Sequence, residues 1–397
     1  MTVRLVSPGM RHVLALTLLA PALTLAPALA AAPAHAQETC QGQVPTIVGT
    51  DGPDDLHGTA LADVVLLGNG DDKFFGRSGD DVVCGGGGDD ELHGGVGNDL
   101  LDGGAGNDKI WGFDGDDEVR GGSGNDLLRA EDGNDLVRGG GGFDVILEFL
   151  GDDQITGGTG KDVVSYREAP NPVTANWPNG AVTGNGTDAI GHVERFEGSK
   201  LADVINGGAD FDDLAGGGGD DQIFGKGGDD LLRISSGVAH GGVGDDIFIV
   251  KRTGLALGEK GDDRFVMRGG TSRGSVGKDL FQVLSKGGGH AYGEAGADII
   301  TFEKVRRGVT ASLGSGKATW GNRSVTIESI EVLAGTKHDD TLTGTNQSDF
   351  LRGNGGDDRL RGKGGNDLLI GDHGFDIGEG GTGGDVCVTE VKAGCEA

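Results

Sequence analysis

Aspartate recurs every nine residues along much of this chain, in the repeated context G-G-x-G-x-D-x-U-x, where U is an apolar residue. The phase is kept from Gly49 to Ser165 through thirteen units, each with Asp at the sixth position and an apolar residue at the eighth. Carboxylate and carbonyl oxygens suit Ca²⁺, because its coordination number is large and its geometry flexible, whereas Mg²⁺ needs a tighter octahedron and retains its waters. This spacing therefore predicts sites for multivalent cations built from oxygen ligands of the kind that suits Ca²⁺.

The repeat returns twice after this first block, 49–165. The second block, 198–301, begins with four regular units, and four looser units follow at spacings of 17, 16 and 19 residues. We interpret the looser units as coils with a calcium-type turn on one side only. The third block, 335–388, has six further units.

The candidate calcium ligands are sixth-position carboxylates of the units that keep the pattern best. They are Asp72, Asp81, Asp90, Asp99, Asp108, Asp117, Asp126, Asp135, Asp144, Asp153, Asp162, Asp221, Asp230, Asp246, Asp263, Asp358, Asp367 and Asp376. Some units lack the fourth-position Gly, and we expect their turns to be doubtful calcium sites. The residues that replace this Gly are Leu61, Leu201, Asp210, His338 and Gln347.

Each unit divides into a six-residue loop and a three-residue strand. Glycine permits left-handed backbone angles, so loop amides and carbonyls can turn towards a cation. Alternation along the strand sends the eighth residue inward and its neighbours outward. Two units then make one coil, and the predicted fold class is all-β, a parallel β-roll (β-solenoid) of nonapeptide repeats. Two β-rich interruptions, 166–197 and 302–334, leave the roll and rejoin it.

Composition explains why such a chain would need a metal. Of 397 residues, 83 are Gly, and the formal net charge is −30. Glycine loses the most backbone entropy on folding, and high charge with few aromatic residues favours disorder. We therefore expect a disordered metal-free chain that folds on binding several Ca²⁺ ions. Nucleic acid and anionic membranes are excluded as partners, because the negative charge of the chain repels them. Membrane insertion is excluded because no later segment is apolar enough to span a bilayer.

The repeat resembles the haemolysin-type calcium-binding, or RTX, family. The flanking segments Cys40-Gln41-Gly42 and Thr46–Thr50, with the terminal Cys387 and Cys395, resemble secreted calcium-binding proteins of actinobacteria. The resemblance implies that calcium lies between stacked loops, held by the sixth-position Asp and by loop carbonyls. Because every second unit contributes to one edge, Asp90 is expected to pair with Asp108.

The N-terminus has the pattern of a secretory signal peptide, 1–36. A basic start precedes an Ala/Leu-rich run at 13–30, and an A-x-A-like cleavage site ends at Ala36. A membrane anchor is the alternative, but three prolines interrupt the run. We expect a secreted, extracellular protein.

The four cysteines are Cys40, Cys84, Cys387 and Cys395. An even number outside the cytosol favours disulfides, and the natural pairs are Cys40–Cys84 and Cys387–Cys395. Zinc ligation is the alternative, but no C-x-x-C spacing occurs. We expect residues 37–48 to cap the roll and 389–397 to form a disulfide-bonded tail.

Catalysis is not expected. The chain has no H-E-x-x-H motif, and the G-x-S-x-G match at Gly270–Gly274 lies in a loose repeat without a strand–turn–helix context. We expect an extracellular structural or adhesive role, with a calcium buffer or scaffold, or a toxin or enzyme accessory protein, as alternatives. A partner glycan could stack on an outward aromatic strip, although an ordinary solvated sheet face with ladder packing accounts for the strip better. The strip comprises His57, Phe75, His93 and Trp111.

Overall fold

The computed structural model describes residues 39–147 and 150–395, and the predicted signal peptide lies outside them. The described residues are mainly β-strands and turns, with one short 3-10 helix, Trp177–Asn179. No helix among them is long and apolar enough to cross a membrane.

The strands up to the first interruption are β1 (Ile47–Val48), β2 (Asp55–His57), β3 (Val64–Asn69), β4 (Lys73–Ser78), β5 (Val82–Gly87), β6 (Glu91–Val96), β7 (Leu100–Ala105), β8 (Lys109–Asp114), β9 (Glu118–Ser123), β10 (Leu127–Asp132), β11 (Leu136–Gly142), β12 (Val145–Leu147), β13 (Gln154–Gly160) and β14 (Val163–Ser165). Those of the first interruption and the second block are β15 (Thr174–Asn176), β16 (Ala181–Thr183), β17 (Thr187–Gly191), β18 (Arg195–Glu197), β19 (Val204–Asn206), β20 (Asp213–Ala215), β21 (Asp221–Gly227), β22 (Leu231–Ile234), β23 (Gly237–Val243), β24 (Ile247–Val250), β25 (Leu255–Lys260), β26 (Arg264–Met267), β27 (Thr271–Val276), β28 (Leu280–Val283), β29 (Gly289–Ala295) and β30 (Ile299–Thr301). The remaining strands are β31 (Thr310–Ser312), β32 (Lys317–Trp320), β33 (Arg323–Glu328), β34 (Val332–Ala334), β35 (Thr341–Thr343), β36 (Phe350–Gly355), β37 (Arg359–Gly364), β38 (Leu368–His373), β39 (Ile377–Thr382), β40 (Val386–Val388) and β41 (Val391–Ala393).

These strands form two sheets. The first sheet has 23 strands in the order β1-β3-β5-β7-β9-β11-β13-β17-β16-β15-β19-β21-β23-β25-β27-β29-β33-β32-β31-β35-β37-β39-β41. The second sheet has the order β2-β4-β6-β8-β10-β12-β14-β18-β20-β22-β24-β26-β28-β30-β34-β36-β38-β40.

Outside the interruptions, consecutive strands alternate between the two sheets, so two strands and two turns make one coil. Neighbours are parallel, and in the first block they are offset by 18 residues, as for Val65 and Val83. The predicted all-β fold, a parallel β-roll with two β-rich interruptions, is confirmed.

The core is a thin stack of eighth-position side chains between the sheets, because strand alternation sends these residues inward. In the first block, Val65, Phe74, Val83 and Leu92 are fully buried. In the second block the two sheets fill the core unequally. The second sheet contributes a ladder of rings with centroids 4.8–4.9 Å apart, formed by Phe248, Phe265 and Phe281. Opposite these rings, in the looser coils, the first sheet contributes only small side chains, at Ala239, Ala256, Ser272 and Ala291.

Ser272 is the polar member of that small-residue row, and its Oγ is buried without a hydrogen-bond partner in the described residues. An unpaired buried hydroxyl costs about 1–3 kcal/mol. We expect Ser272→Ala to raise the free energy of unfolding by about 1 kcal/mol, measured by urea denaturation at saturating calcium. The exposed Ser123, substituted to Ala, is the control and should change little. A loss of stability in Ser272→Ala would contradict this interpretation.

The strands are longer than the predicted three residues. In the regular coils of the first block most have six, because the first three loop positions continue the parallel pairing, as between Gly86 and Gly104. In these coils the second loop position has positive φ even where it is not Gly, as at Arg77 and Phe113, whereas Thr50 and Thr59 at the start of the block do not. The bend towards the next sheet therefore begins within the paired segment.

Each interruption inserts an antiparallel meander into the first sheet only. β17 pairs in parallel with β13, then antiparallel with β16, which pairs with β15, and β15 returns to parallel pairing with β19. β33, β32 and β31 repeat this arrangement between β29 and β35. The second sheet passes each insertion directly, through β14–β18 and β30–β34. The interruptions therefore add strands to the roll without breaking its core.

The two ends of the roll carry the cysteine pairs. β1 extends the first sheet, with Ile47 opposite Val65, and Cys40 lies at disulfide distance from Cys84 with a Cα–Cα separation of 5.6 Å. At the other end Cys387 and Cys395 are also at disulfide distance, with a Cα–Cα separation of 5.8 Å. Both predicted pairs are thus brought together.

Candidate metal centre

The sixth-position Asp residues stack in two columns, one on each edge of the roll. In the first column, each Asp lies at the start of a first-sheet strand: Asp63, Asp81, Asp99, Asp117, Asp135, Asp153, Asp203, Asp221, Asp340, Asp358 and Asp376. In the second column, each Asp precedes a second-sheet strand: Asp54, Asp72, Asp90, Asp108, Asp126, Asp144, Asp162, Asp212, Asp230, Asp246, Asp263, Asp279, Asp298, Asp349, Asp367 and Asp385. Every candidate ligand from the sequence lies in one of these columns and is buried.

Within a column, one carboxylate oxygen of each Asp ties two coils together. Asp90 donates its backbone N–H to Oδ1 of Asp108, and Asp99 donates to Oδ1 of Asp117, both at 2.8 Å. A charged acceptor makes these hydrogen bonds stronger than neutral ones. The ladder fixes the orientation of each carboxylate, so its second oxygen points in the same direction from coil to coil.

That second oxygen, Oδ2, is buried and accepts no hydrogen bond within the described residues at most column positions. These positions are Asp72, Asp81, Asp90, Asp99, Asp108, Asp117, Asp126, Asp135, Asp144, Asp162, Asp221, Asp230, Asp246, Asp263, Asp279, Asp298, Asp358, Asp367, Asp376 and Asp385. A buried carboxylate oxygen is unfavourable unless it is paired or coordinates a metal. The columns therefore present repeated anionic atoms suited to a cation.

In most loops the first-position Gly leaves open a space beside this oxygen. A Cβ atom at Gly85 would lie 2.5 Å from the carbonyl oxygen of Gly103, one coil away, and closer still to Oδ2 of Asp90. These separations are similar to calcium–oxygen distances, which are about 2.3–2.6 Å. A carboxylate and a carbonyl from successive coils thus face one cation-sized space that only glycine leaves free.

The donor set fits calcium better than a transition metal. Within the described residues, no three His, Cys, Asp or Glu side chains form a metal-binding cluster. The side-chain ligand is an Asp carboxylate, and backbone carbonyls and water would supply the other oxygens. Ca²⁺ accepts such mixed oxygen shells, whereas structural zinc sites use Cys and His.

Burial also disfavours the charged form of the column carboxylates when no metal is bound. Removal from water, reinforced by the neighbouring column carboxylates, raises the pKa of Asp90 and Asp99 to about 7. The same causes raise the pKa of Asp117 and Asp263 to about 8. Backbone hydrogen bonds from the preceding Asp oppose this shift without cancelling it. A bound divalent cation would compensate both burial and repulsion.

The first turns of each block are closed without a cation. Oδ2 of Asp54 accepts the backbone N–H of Thr50 at 2.6 Å and its hydroxyl at 3.0 Å. Ser199 contacts Oδ2 of Asp203 in the same way. The backbone N–H of Thr336 donates to Oδ2 of Asp340, and its hydroxyl donates to Oδ1. Related backbone contacts close the turns of Asp63, Asp212 and Asp349. All five units without a fourth-position Gly have such turns. Four of the five have Ser or Thr at the second position, a signal that our sequence reasoning missed.

Among the described first positions, two candidate ligands have a side chain beside them instead of Gly; a third, Asp153, has Glu148 at this position, outside the described residues. Leu67 and Ala130 occupy the first position ahead of Asp72 and Asp135, so a side chain stands where the other loops leave space. Both side chains are fully buried. Conversely, Asp279, Asp298 and Asp385 were not among the predicted ligands, although each has a buried, unpaired Oδ2.

Where the columns meet irregular segments, other acidic residues accept the backbone N–H of the last Asp in place of the next column Asp. Glu194 and Glu331 accept the backbone N–H of Asp162 and Asp298 at the two interruptions. Asp188 accepts the N–H of Asp153, and Glu390 accepts that of Asp376 near the C-terminus. The nine-residue phase is lost at these points, so the sequence pattern could not identify them.

A family model described as the RTX calcium-binding nonapeptide repeat (4 copies) matches residues 48–83, 84–112, 111–146, 150–166, 197–232, 334–369 and 352–387. These ranges together cover just over half of the 397 residues. The chain belongs to this RTX repeat family. It is therefore a calcium-binding repeat protein. No curated protein matches the chain.

The matched ranges of this RTX protein stop at residue 232 and resume at 334. Between them lie the one-sided coils, where Asp246, Asp263, Asp279 and Asp298 extend only the second column. The second-column geometry there is the same as in the matched blocks. The roll of this RTX protein is thus longer than its regular repeats.

Adjacent Asp residues of the second column provide a matched test of the capped and open turns. Oδ2 of Asp349 accepts hydrogen bonds from Thr345, whereas Oδ2 of the next carboxylate, Asp367, is unpaired. We expect Asp367→Asn to lower the number of calcium ions bound at saturation and Asp349→Asn to leave it unchanged. Native mass spectrometry of both variants measures this number. Equal losses would show that capped turns also hold calcium.

The serine of the hydrolase-like motif and the aromatic strip, the other two candidate sites from the sequence, are poorly placed for catalysis and for sugar stacking. Ser272 of the G-x-S-x-G match lies inside strand β27 and is fully buried, so it is not an accessible nucleophile. Along the aromatic strip, the rings of His57, Phe75, His93 and Trp111 stack on one another with centroids 4.6–5.1 Å apart. Most of the ring faces that a sugar would contact are covered by neighbouring rings.

Proposed function

We propose that the chain is secreted, folds as calcium binds between its stacked loops, and acts outside the cell as a rigid structural or adhesive element. The observation that supports this most strongly is the row of buried Asp Oδ2 atoms that lack a hydrogen-bond partner. They lie in register on successive coils. Each ion bound there would tie one coil to the next, so metal binding and folding would be one process.

The energetic reason is that the metal-free roll has little to stabilise it. Its core is one residue thick per strand, and many loop positions are Gly, which lose the most entropy on folding. The carboxylates of each column repel one another at short range in a poorly solvated environment. Calcium would remove that repulsion and supply ligand bonds to both coils.

An extracellular location is supported by the signal-peptide pattern of residues 1–36 and by the two cysteine pairs at disulfide distance. Disulfides persist in oxidising compartments. The pairs lie at the two ends of the roll, where they would prevent fraying of the terminal coils.

The role we propose is non-catalytic. The two long sheets present repeated outward side chains rather than one enclosed reaction site, and the serine of the hydrolase-like motif is buried. A rigid rod with repeated surface groups suits a structural or adhesive task. A calcium buffer would need the bound ions but no partner.

Binding to the cell envelope of the source organism distinguishes these roles. Purified mature protein is mixed with washed cells in millimolar calcium, and bound protein is measured after sedimentation. We expect saturable retention that is lost in chelator and absent with Mg²⁺ alone. No retention at saturating calcium would favour the buffer or scaffold role. Recovery of uncleaved protein from inside the producing cells would contradict the proposed secretion.

A further inference from the structure

The one-sided coils of the second block carry positive charge where the first Asp column is missing. Between Asp221 and Asp340, no sixth-position Asp enters the first sheet, and the turns on that edge contain exposed cationic residues instead. We call this surface the basic edge. It comprises Arg268, Lys286, Lys304, Arg306, Arg307 and Arg323. Such segregation is notable in a chain whose formal net charge is −30.

The basic edge is a built surface, because backbone contacts hold its three segments together. Arg323 donates from Nη1 to the carbonyl of Lys286 at 2.7 Å, and Trp320 donates from Nε1 to the carbonyl of Ser285 at 3.2 Å. The Ser285 hydroxyl donates to the carbonyl of Lys304 at 2.7 Å. These contacts link the β28–β29 turn, the segment after β30 and the β32–β33 hairpin tip.

Two adjoining clefts open between these segments. One of about 190 Å³ is lined by Ser285, Arg306, Arg307, Trp320 and Arg323, among others. The second, of about 530 Å³, shares Ser285 and Arg306 with the first and adds Arg268, Lys286 and Lys304. Arg306 therefore faces both clefts.

The cations of the basic edge are largely free of internal partners. Within the described residues, the only ion pair of this group joins Lys304 to the exposed Glu303 at 3.7 Å. Several arginines elsewhere on the roll are paired, as Arg361 is with Glu379 and Arg352 with Asp372. Unpaired guanidinium groups around a small cleft suit a planar or tetrahedral oxyanion, which they can bind bidentately.

We propose that the basic edge is a binding site for a tetrahedral oxyanion, a sulfate or phosphate group carried on an otherwise weakly charged ligand. The small cleft volume and the guanidinium groups match such a group. The strongly negative charge of the remaining molecule opposes a densely charged polyanion such as duplex nucleic acid, because its repulsion acts over longer distances. The site is independent of the Asp columns and goes beyond the proposed structural role.

The test uses the mature, calcium-loaded protein at constant ionic strength, which separates binding from screening. Calorimetry is performed with methyl sulfate and N-acetylglucosamine 6-sulfate as the sulfate probes, with glycerol 3-phosphate as the phosphate probe, and with a 20-base-pair DNA duplex. We expect saturable binding of the sulfate probes, the phosphate probe or both, and the stronger of the two identifies the source. Tighter binding of DNA than of every small probe would overturn the proposal.

The variant R268Q/R306Q removes two cleft cations whose side chains make no hydrogen bond or ion pair within the described part of the chain. The control K109Q/R359Q removes the same charge from exposed positions elsewhere. We expect the dissociation constant to rise at least tenfold in the first variant and less than twofold in the control. Equal changes of the dissociation constant in both variants would show that net charge alone causes the effect, and this would overturn the proposed site. Circular dichroism in calcium verifies folding, and Arg306→Lys, which keeps the charge but removes the guanidinium fork, should still weaken binding severalfold.

Discussion

Removing calcium from the mature protein should abolish most of its β-sheet signal in far-ultraviolet circular dichroism, and returning calcium should restore it. The columns place buried carboxylates one above another, as in Asp90 and Asp108, with one oxygen of each left unpaired. One site contributes about 2.7 kcal/mol at a calcium concentration 100 times its Kd. A few such sites match the total stability of an ordinary domain, about 5–15 kcal/mol.

Magnesium is the control for this experiment, because it has the same charge but a smaller, more rigid coordination shell. At equal concentration it should restore little of the signal. Excess calcium added over the chelator excludes an effect of the chelator itself. A metal-free protein with the full β-sheet signal would contradict the coupling of folding to calcium.

Acidifying the metal-free protein from pH 8 to pH 5 should increase its β-sheet content. Burial raises the pKa of Asp117 and Asp263 to about 8 and that of Asp90, Asp108 and Asp230 to about 7. The ordinary value is 3.8. A carboxyl group with a higher pKa in the folded state favours folding when protonated, so its contribution is complete below pH 3.8 and is lost as the pH rises through about 7–8.

Calcium should reverse this pH dependence, because protons and calcium compete for the same carboxylates. The calcium-loaded protein should bind the ion less tightly as the pH falls below about 7. Metal is removed with a chelating resin rather than a soluble chelator, whose own affinity changes with pH. If the β-sheet signal of the metal-free protein is greatest at pH 8 and declines on acidification, the claim that burial of the column carboxylates opposes folding is contradicted.

The nine-residue phase was sufficient to predict the fold, because two of its positions have direct structural consequences. The apolar eighth residue faces the core in both sheets, and the sixth-position Asp falls on one of two edges according to which sheet follows. Pairs such as Leu128 and Ile146 therefore lie in register 18 residues apart. The one-sided coils were also predictable, since Asp246 and Asp263 keep one turn while the other turn lacks its Asp.

The rest depended on contacts that the repeat does not encode. The antiparallel meanders β15–β17 and β31–β33 arise where the nine-residue phase is absent, so the sequence indicated strands but not their partners. Thr50 and Ser199 close their turns only because the loop backbone brings their N–H groups within hydrogen-bonding distance of the Asp Oδ2 atom. The paired length of the strands depends on neighbouring coils, because the loop residues continue the ladder only when the next coil is in register.

A crystal structure of the mature protein grown in calcium tests the central claim most directly. Anomalous difference maps should show calcium within about 2.3–2.6 Å of Oδ2 at open turns such as those of Asp90, Asp108 and Asp367. No peak is expected beside the capped Asp203 and Asp340. Peaks confined to exposed carboxylates, with the columns free of metal, would contradict the account.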